Sequence, residues 1–209
     1  MVVGGGRTLS TAALRQAVRL SGFTTNRIVT PRANATSNRN TKPSRARSSE
    51  EKRLLLSVAV TEFRNRRYPT SLAAAQKAAE TSPASSEVQQ VLSLCYFATG
   101  RYEDARDAAH RALHLGQPWT WKHLASHYAD SKEYTKQLRI FEQTLREKGN
   151  IDEFRLLLGY HYWMLGHPKV AEKEFVKAME HDPQDKLLPM LLEQLRKTMD
   201  SHAAGKGSR

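Results

Sequence analysis

The sequence predicts an all-α protein, a right-handed superhelix of about four helix–turn–helix hairpins closed by a C-terminal capping helix. The clearest hairpin spans residues 154–183, where two apolar-periodic segments flank a tight turn at Gly166-His167-Pro168. The same turn position recurs at spacings of 34, 32 and 34 residues, at Tyr68, Tyr102, Tyr134 and Pro168. A period of this length is typical of stacked helical repeats, each of which buries its apolar face against its neighbours.

The repeats divide the chain into a tail, an array and a second tail. We expect a disordered tail over residues 1–49, the array over 50–199 and a frayed tail over 200–209. Within the array, the predicted units cover residues 51–84, 85–118, 119–150 and 151–184, and the capping helix covers 185–199. The capping helix is predicted from a leucine stripe that begins at Leu187, continues to Met199 and leaves a charged opposite face.

Small residues alternate with aromatic ones where the two helices of a hairpin should meet. Gly159 allows close approach of the helices, and Gly100 and Gly166 are expected to end first helices in the left-handed conformation. The third unit breaks the pattern, because Gln137 and Thr144 stand where small residues are usual. We therefore expect the third unit to be the most irregular.

The charge of the chain is concentrated in the first tail. Residues 1–49 hold eight arginines and one lysine without any acidic residue, so they account for +9 of the net charge of +12. A solvated tail or an over-long start, an organellar targeting segment and a non-specific contact with an anionic surface are the three interpretations. No run of residues reaches the ~18 apolar positions of a membrane span, so no transmembrane segment is expected.

The residue order of the fourth unit points to a known repeat family. A large, a small and an aromatic residue on the first helix are followed by a small, an aromatic and a small residue on the second, and then by proline: Leu158, Gly159, Tyr162, Ala171, Phe175, Ala178 and Pro183. This order resembles the tetratricopeptide repeat (TPR). From Leu94 to Arg196, the segments YFATGRYEDA, QPWTWKHLASHYADSKEYTKQL and RLLLGYHYWMLGHPKVAEKEF are similar to a planctomycete-type bacterial TPR family without an assigned reaction.

The resemblance implies a partner-binding face on the first helix of each unit. The inward positions of the TPR family fall on Leu56, Val60, Phe63, Arg64, Gln90, Leu94, Phe97, Trp119, Lys122, His123, Ser126, Asp130, Leu156, Tyr160, Trp163 and Met164. We expect Tyr160, Trp163 and Met164 to form an aromatic pocket for a peptide or helix. The alternative is that some of these side chains pack against the capping helix or a neighbouring subunit. A clamp for a C-terminal carboxylate is not expected, since Leu56 and Val60 replace its polar residues.

No constellation of residues predicts catalysis, a metal or a cofactor. His123 and His127 have a ligand-capable spacing, but neither they nor any other histidine pair belongs to an HExxH motif. The only cysteine, Cys95, lies mid-helix among apolar residues and is expected to be an inert structural thiol. The GGG at residues 4–6 lacks the rest of a phosphate-binding loop. We therefore expect no enzyme and no bound cofactor or metal.

The function expected from this sequence is a non-catalytic protein–protein interaction module or scaffold with an apolar and aromatic concave groove. The alternative is nucleic-acid or anionic-surface binding through residues 1–49, with the repeat array as a scaffold. Weak self-association through the same apolar face is a third hypothesis. We expect a cytoplasmic protein, with organellar transit or export through the tail as the alternatives.

Overall fold

A computed structural model of the chain describes residues 45–149 and 151–206. Nine α-helices form this part of the chain: α1 (Arg45–Arg64), α2 (Tyr68–Thr81), α3 (Ser86–Ala98), α4 (Tyr102–Leu115), α5 (Trp121–Ala125), α6 (Ser131–Lys148), α7 (Arg155–Met164), α8 (Pro168–His181) and α9 (Leu187–Lys206). A single 3-10 turn, Ile151–Phe154, precedes α7. The described residues contain helices and connecting turns without a strand, so the all-α fold class is confirmed.

The helical part of the chain is longer at both ends than the sequence indicates. α1 begins at Arg45, so residues 45–49 are helical rather than part of the predicted tail, and the Ser48 hydroxyl donates to the Thr81 carbonyl at the end of α2 (3.4 Å). α9 continues to Lys206, beyond the expected end at residue 199. The rest of the predicted first tail, residues 1–44, lies outside the described residues.

Three of the predicted hairpins pack as regular pairs, namely α1 with α2, α3 with α4 and α7 with α8. The small residues at their crossings are fully buried, for example Ala75 and Ala105. Gly159 is the extreme case, because a Cβ atom there would lie 2.5 Å from the Phe175 ring. Close helix approach at small residues is therefore the local reason for these hairpins.

The turns inside the regular hairpins use the left-handed backbone conformation. Gly100 and Gly166 have φ of +71° and +76°, as the sequence predicts. The corresponding residue of the first hairpin is Arg66, which adopts φ +61° although it carries a side chain. In each hairpin the turn leads directly into the second helix.

The third unit departs most from the repeat. α5 has five residues, and α4 packs directly against α7 and α9, so the second and fourth hairpins are neighbours. α6 instead crosses the turn ends of the regular hairpins, where its side chains contact Tyr68, Phe97 and His161. Gln137, at an expected small position, hydrogen-bonds the hydroxyls of Tyr68 and Tyr128.

The capping helix covers the end of the array. Its leucines are buried against α8 and α4: Leu187, Leu188, Leu191, Leu192 and Leu195. Pro189 is the third residue of α9, where the missing N–H costs least. None of the helices in residues 45–206 that the structure describes is long and apolar enough to cross a membrane.

Candidate interaction surface

The centre of the first-helix face predicted to be concave is covered by α6. Phe97, at the centre of that face, is 2% exposed. Its ring centroid lies 5.5 Å from that of Phe141 and 6.3 Å from that of Tyr134, both on α6. The imidazole of His161, on α7, lies 4.0 Å from the same ring. The apolar face of α6 therefore closes the middle of the predicted groove.

His161 is the polar residue at the centre of this packing. It is 1% exposed, and its Nδ1 is hydrogen-bonded to the Tyr134 hydroxyl at 2.9 Å. Its Nε2 is buried without a hydrogen-bond partner among the described residues. Burial lowers the pKa of His161 to about 3, because the charged imidazolium loses its hydration there. The residue is neutral at physiological pH.

Polar contacts fix both halves of α6 on the array. Near its start, Glu133 accepts hydrogen bonds from the Arg66 guanidinium (2.9 Å) and the Tyr68 hydroxyl (3.0 Å). Burial and this carboxylate raise the pKa of Tyr68 to about 12. Further along α6, Glu142 accepts a hydrogen bond from the Tyr162 hydroxyl at 2.6 Å. α6 thus bridges the first and fourth hairpins.

The part of the face that α6 leaves open forms a cleft of about 750 Å³ between α1, α3 and the segment after α5. We call this space the α1–α3 cleft, and it is lined by Ser49, Glu50, Lys52, Arg53, Leu56, Ser57, Val60, Glu87, Val91 and His127. Leu56, Val60 and Val91 supply its apolar surface. Charged residues of both signs stand at its α1 side.

Three stacked rings lie next to the α1–α3 cleft, on the side formed by the third unit. The Trp119 ring lies 4.4 Å from His127 and 4.8 Å from His123, with nearly parallel planes. The Trp119 backbone N–H donates to Gln90 Oε1 at 2.9 Å, which ties the loop before α5 to α3. Burial lowers the pKa of His127, so the neutral ring is favoured in the stack.

The structure separates the predicted partner-contact residues into three groups. Several are buried inside the chain: Leu56, Phe63, Gln90, Leu94, Phe97, Leu156, Tyr160 and Met164. Val60, Trp119 and Trp163 are partly buried, and Arg64, Lys122, His123, Ser126 and Asp130 are exposed. Within the buried group, Phe97 packs against Tyr134 and Phe141 of α6, and Phe63 packs against Tyr68 and Tyr128. Because its members are buried, the group offers little surface to a partner in this conformation.

The predicted aromatic pocket on α7 does not form as a single opening. Tyr160 is buried, with its hydroxyl 3.4 Å from Gln90 on α3. Trp163 faces α8 and makes an edge contact with the Phe175 ring at 6.0 Å. Met164 is 2% exposed. The binding role of these residues stays a prediction that would need a rearrangement of the packing.

Asp130 has a local structural function. Its carboxylate accepts the Lys132 backbone N–H at 2.9 Å and caps the N-terminus of α6. The sequence-based prediction includes only Leu56 and Val60 among the residues that line the α1–α3 cleft, and it misses Glu87, Val91 and His127 among the others. Glu87 and Val91 flank Gln90 on α3, so the same helix face contained the signal for them.

A second cleft of about 720 Å³ lies on the other side of α4, bounded by the 3-10 turn and the α8–α9 connection. It is rich in carboxylates, and His110 Nε2 lies 3.2 Å from Asp185 Oδ2 at its edge. In the part of the chain that the structure describes, no group of three or more His, Cys, Asp and Glu side chains has a metal-binding arrangement. Cys95 is buried beside Ser71, and burial raises the pKa of its thiol to about 11.

Comparison with known proteins yields structural similarity only. No family model matches the chain, and no curated protein sequence matches it. Among solved structures, it is similar to the first TPR of Spaghetti (RPAP3) bound to the HSP90 peptide SRMEEVD, with 12% identity and a TM-score of 0.35. The match covers 73% of this chain and 95% of that chain. The more specific planctomycete-type resemblance stays a prediction.

Proposed function

We propose that this chain is a non-catalytic protein-interaction module that binds an extended peptide segment of a partner in the α1–α3 cleft. The observation that carries the proposal is the cleft itself, an open space of about 750 Å³ beside the part of the first-helix face that α6 covers. A volume of this size accommodates several peptide side chains. The proposal retains Leu56 and Val60 from the sequence-based prediction and adds Val91 and His127.

The cleft combines an apolar surface with a charged rim. Val60 is the partly exposed apolar residue that can contact apolar side chains of a bound peptide, and the mostly buried Leu56 and Val91 line the cleft beside it. On the rim, Lys52 and Glu87 form no ion pair among the described side chains. These two opposite charges would set the direction of the peptide, because exposed charges contribute to orientation more than to affinity.

A peptide-display selection against the full chain tests the proposal. Selected peptides are expected to lose at least tenfold in affinity on Val60→Arg, since the new guanidinium fills the cleft and places a charge on its apolar surface. Val58→Arg is the matched control, because Val58 also lies on α1 but is 48% exposed. Calorimetric titration of both variants gives the answer.

The proposal fails if selected peptides bind Val60→Arg as tightly as the parent chain. It also fails if Val58→Arg removes binding, because the peptide site would then lie on the outer face of α1. Unchanged helical content in both variants, measured by circular dichroism, is required for either conclusion. Trp163→Ala tests the predicted α7 pocket in the same titration. No loss of peptide affinity is expected, because Trp163 packs against Phe175 and does not line the α1–α3 cleft.

Binding of anionic partners through residues 1–49 is a separate prediction. It rests on the charge of +9 in that segment. Deletion of residues 1–44 leaves α1 intact, since α1 begins at Arg45. If the tail carries the function, capture of the partner is lost with this deletion and with increasing salt, whereas peptide binding in the α1–α3 cleft is retained.

A further inference from the structure

The exposed face of α6 carries a straight row of positive charges. α6 is amphipathic, and its buried face consists of Tyr134, Leu138, Phe141 and Leu145. On the opposite side, exposed basic residues follow one another at spacings of four, three and seven residues: Lys132, Lys136, Arg139 and Arg146. We call these four residues the α6 basic row. With a rise of about 1.5 Å per residue, the row is about 21 Å long.

The acidic residues of α6 do not neutralise this row. Glu133 and Glu142 are engaged by the hydrogen bonds to the array described above. Glu147, at the edge of the exposed face, accepts a hydrogen bond from Gln143 at 2.7 Å, and Asp130 caps the helix. Within residues 45–149 and 151–206, no residue of the basic row forms an ion pair. Packing of α6 thus directs Glu133 and Glu142 toward the array, whereas the four cations and Glu147 are exposed.

We propose that the α6 basic row is a binding site for the phosphate backbone of a nucleic acid, without sequence specificity. Lysine and arginine along one helix face are the electrostatic footprint of such a site. Successive cations are separated by about 4.5–6 Å along the helix for the first two steps, so neighbouring side chains can contact phosphates of the same backbone. The row lies on the folded part of the chain and is independent of the α1–α3 cleft.

The surroundings of the row favour a phosphate backbone over a protein or a membrane. Protein interfaces are anchored by buried aromatic or apolar residues, and the centre of this row has none. The exposed large apolar residue of α6 is Ile140, which is 48% exposed at the edge of the face. Membrane-surface helices insert an apolar face into the bilayer, whereas the apolar face of α6 is buried within the protein. Phosphate contacts require only correctly spaced point charges.

The composition of the row does not favour base-specific recognition. No aromatic side chain lies on the exposed face of α6 in the described structure. Base stacking would need one. Binding should therefore be dominated by counterion release, and its affinity should fall steeply with salt.

The test measures binding of a short labelled DNA duplex to the full chain by fluorescence anisotropy at several salt concentrations. Lys132→Gln/Lys136→Gln removes two charges of the row, and the plot of log affinity against log salt should become less steep by about 1.8, at roughly 0.9 per lost phosphate contact. Lys169→Gln/Lys173→Gln is the matched control. Both pairs are exposed lysines four residues apart at the second and sixth positions of a helix.

The expected result is a reduced slope for the α6 variant and an unchanged slope for the α8 control. Arg139→Gln/Arg146→Gln should reproduce the α6 effect, which excludes an artefact of the helix start. Equal slopes for the α6 variants and the parent chain would overturn the proposal. Any duplex binding would then have to be assigned to other basic segments of the chain. Equal losses in the α6 and α8 variants would show that only net charge matters.

Binding of the same variants to vesicles that contain phosphatidylserine tests whether the row contacts a membrane instead. If the α6 variants lose vesicle binding while duplex binding is unchanged, the row is a membrane contact and the proposal is wrong. Absence of duplex binding by the parent chain at low salt would also overturn it. Loss of duplex binding with intact peptide binding to the α1–α3 cleft would support the row and leave the function proposed above unaffected.

Discussion

His161 shows at the residue scale how the fold changes the chemistry of a side chain. In the sequence it is one of eight histidines without a distinguishing motif. In the structure its ring is surrounded by Phe97, Tyr134 and Phe141, and among the described residues the imidazole has one hydrogen bond. Protonation would place an unhydrated charge in this aromatic cluster. The folded state therefore keeps His161 neutral at pH values below 6.5, where the imidazole of the unfolded chain is protonated.

This exclusion makes stability depend on pH. The folded pKa of His161 is about 3 and the unfolded value is 6.5, so the contribution is complete above pH 6.5 and declines as the pH falls toward 3. The free energy of unfolding should drop by about 2 kcal/mol between pH 7 and pH 5 from this residue. Urea denaturation at the two pH values measures the drop. His127, whose pKa is also lowered, adds to it in the same direction.

His161→Asn separates this effect from other titrations. Asparagine retains a polar partner for the Tyr134 hydroxyl but does not titrate. The variant should be less stable than the parent chain at pH 7, because the aromatic contacts are lost. Its further loss between pH 7 and pH 5 should be smaller by about 2 kcal/mol. An equal loss in both proteins would refute the role of His161.

Two glycines should respond to alanine for different reasons. At Gly159 a methyl group collides with the Phe175 ring, and overpacking of this kind costs about 1–3 kcal/mol. At Gly100 the methyl group meets no atom within 4 Å, but φ of +71° is strained for alanine and costs roughly 1–2 kcal/mol.

A second substitution, Phe175→Leu, distinguishes the two mechanisms when it is combined with each glycine variant. Trimming Phe175 to leucine should partly rescue Gly159→Ala, and the same trimming should not rescue Gly100→Ala. Chemical denaturation of the single and double variants provides the four values for each comparison. Additive effects of Gly159→Ala and Phe175→Leu on the free energy of unfolding would mean that a collision with the Phe175 ring does not cause the destabilisation.

At the scale of the element, α6 is an integral part of the core and not a surface addition. Phe141→Ala should destabilise the chain by about 3–5 kcal/mol, because its fully buried ring contacts Phe97, Tyr102 and Phe154. Ile140→Ala, one position earlier and 48% exposed, should change stability by less than about 0.5 kcal/mol. Thermal and urea denaturation measure both variants. Comparable effects would place α6 outside the cooperative core.

The departure of the third unit from the repeat has a physical reason on α6. A regular second helix presents small residues to its partner helix, whereas α6 presents Gln137 and Thr144 at those positions. Gln137 hydrogen-bonds two tyrosine hydroxyls, and Thr144 bonds back to the Ile140 carbonyl. The bulk of these side chains and their polar partners favour packing across the hairpin ends over packing along a short α5.

At the scale of the whole molecule, α6 connects hairpins that a simple solenoid would keep independent. Repeat arrays usually have only nearest-neighbour contacts, so their stability can be lost unit by unit. Here Glu133 contacts the first hairpin, Phe141 the second and Glu142 the fourth. The long-range contacts should therefore impose cooperative unfolding on the described part of the chain.

Cooperative unfolding is testable with the native tryptophans. Trp119, Trp121 and Trp163 report on the third and fourth units, and circular dichroism reports on all helices. Urea transitions followed by the two probes should coincide for the parent chain. In Phe141→Ala they should separate, since the bridge between hairpins is weakened. Separate transitions in the parent chain would contradict this picture.

Much of the fold was predictable, because local patterns specify it. The spacing of Tyr68, Tyr102 and Pro168 gave the hairpin turns, and glycine at 100 and 166 gave their backbone conformation. The leucine stripe from Leu187 predicted the capping helix. These features depend on residues within one or two helices, where periodicity and side-chain size are sufficient.

The candidate site was less predictable. Family offsets identify which residues lie on the first-helix face, but not which other element of the chain covers that face. Phe63, Phe97 and Tyr160 are buried, whereas Val60 borders an open cleft. The difference arises from contacts between residues more than 60 positions apart, such as Tyr68 with Glu133. No helix periodicity contains that information.

The sequence by itself determined the helices, their turns, the apolar faces and the concentration of charge in residues 1–49. Tertiary structure alone decided that α6 packs across three hairpins, that His161 is buried neutral, and that the α6 basic row faces outward. The physical reason is that helix formation and amphipathicity are local properties, whereas coverage of an apolar face depends on which distant surface excludes water from it most completely.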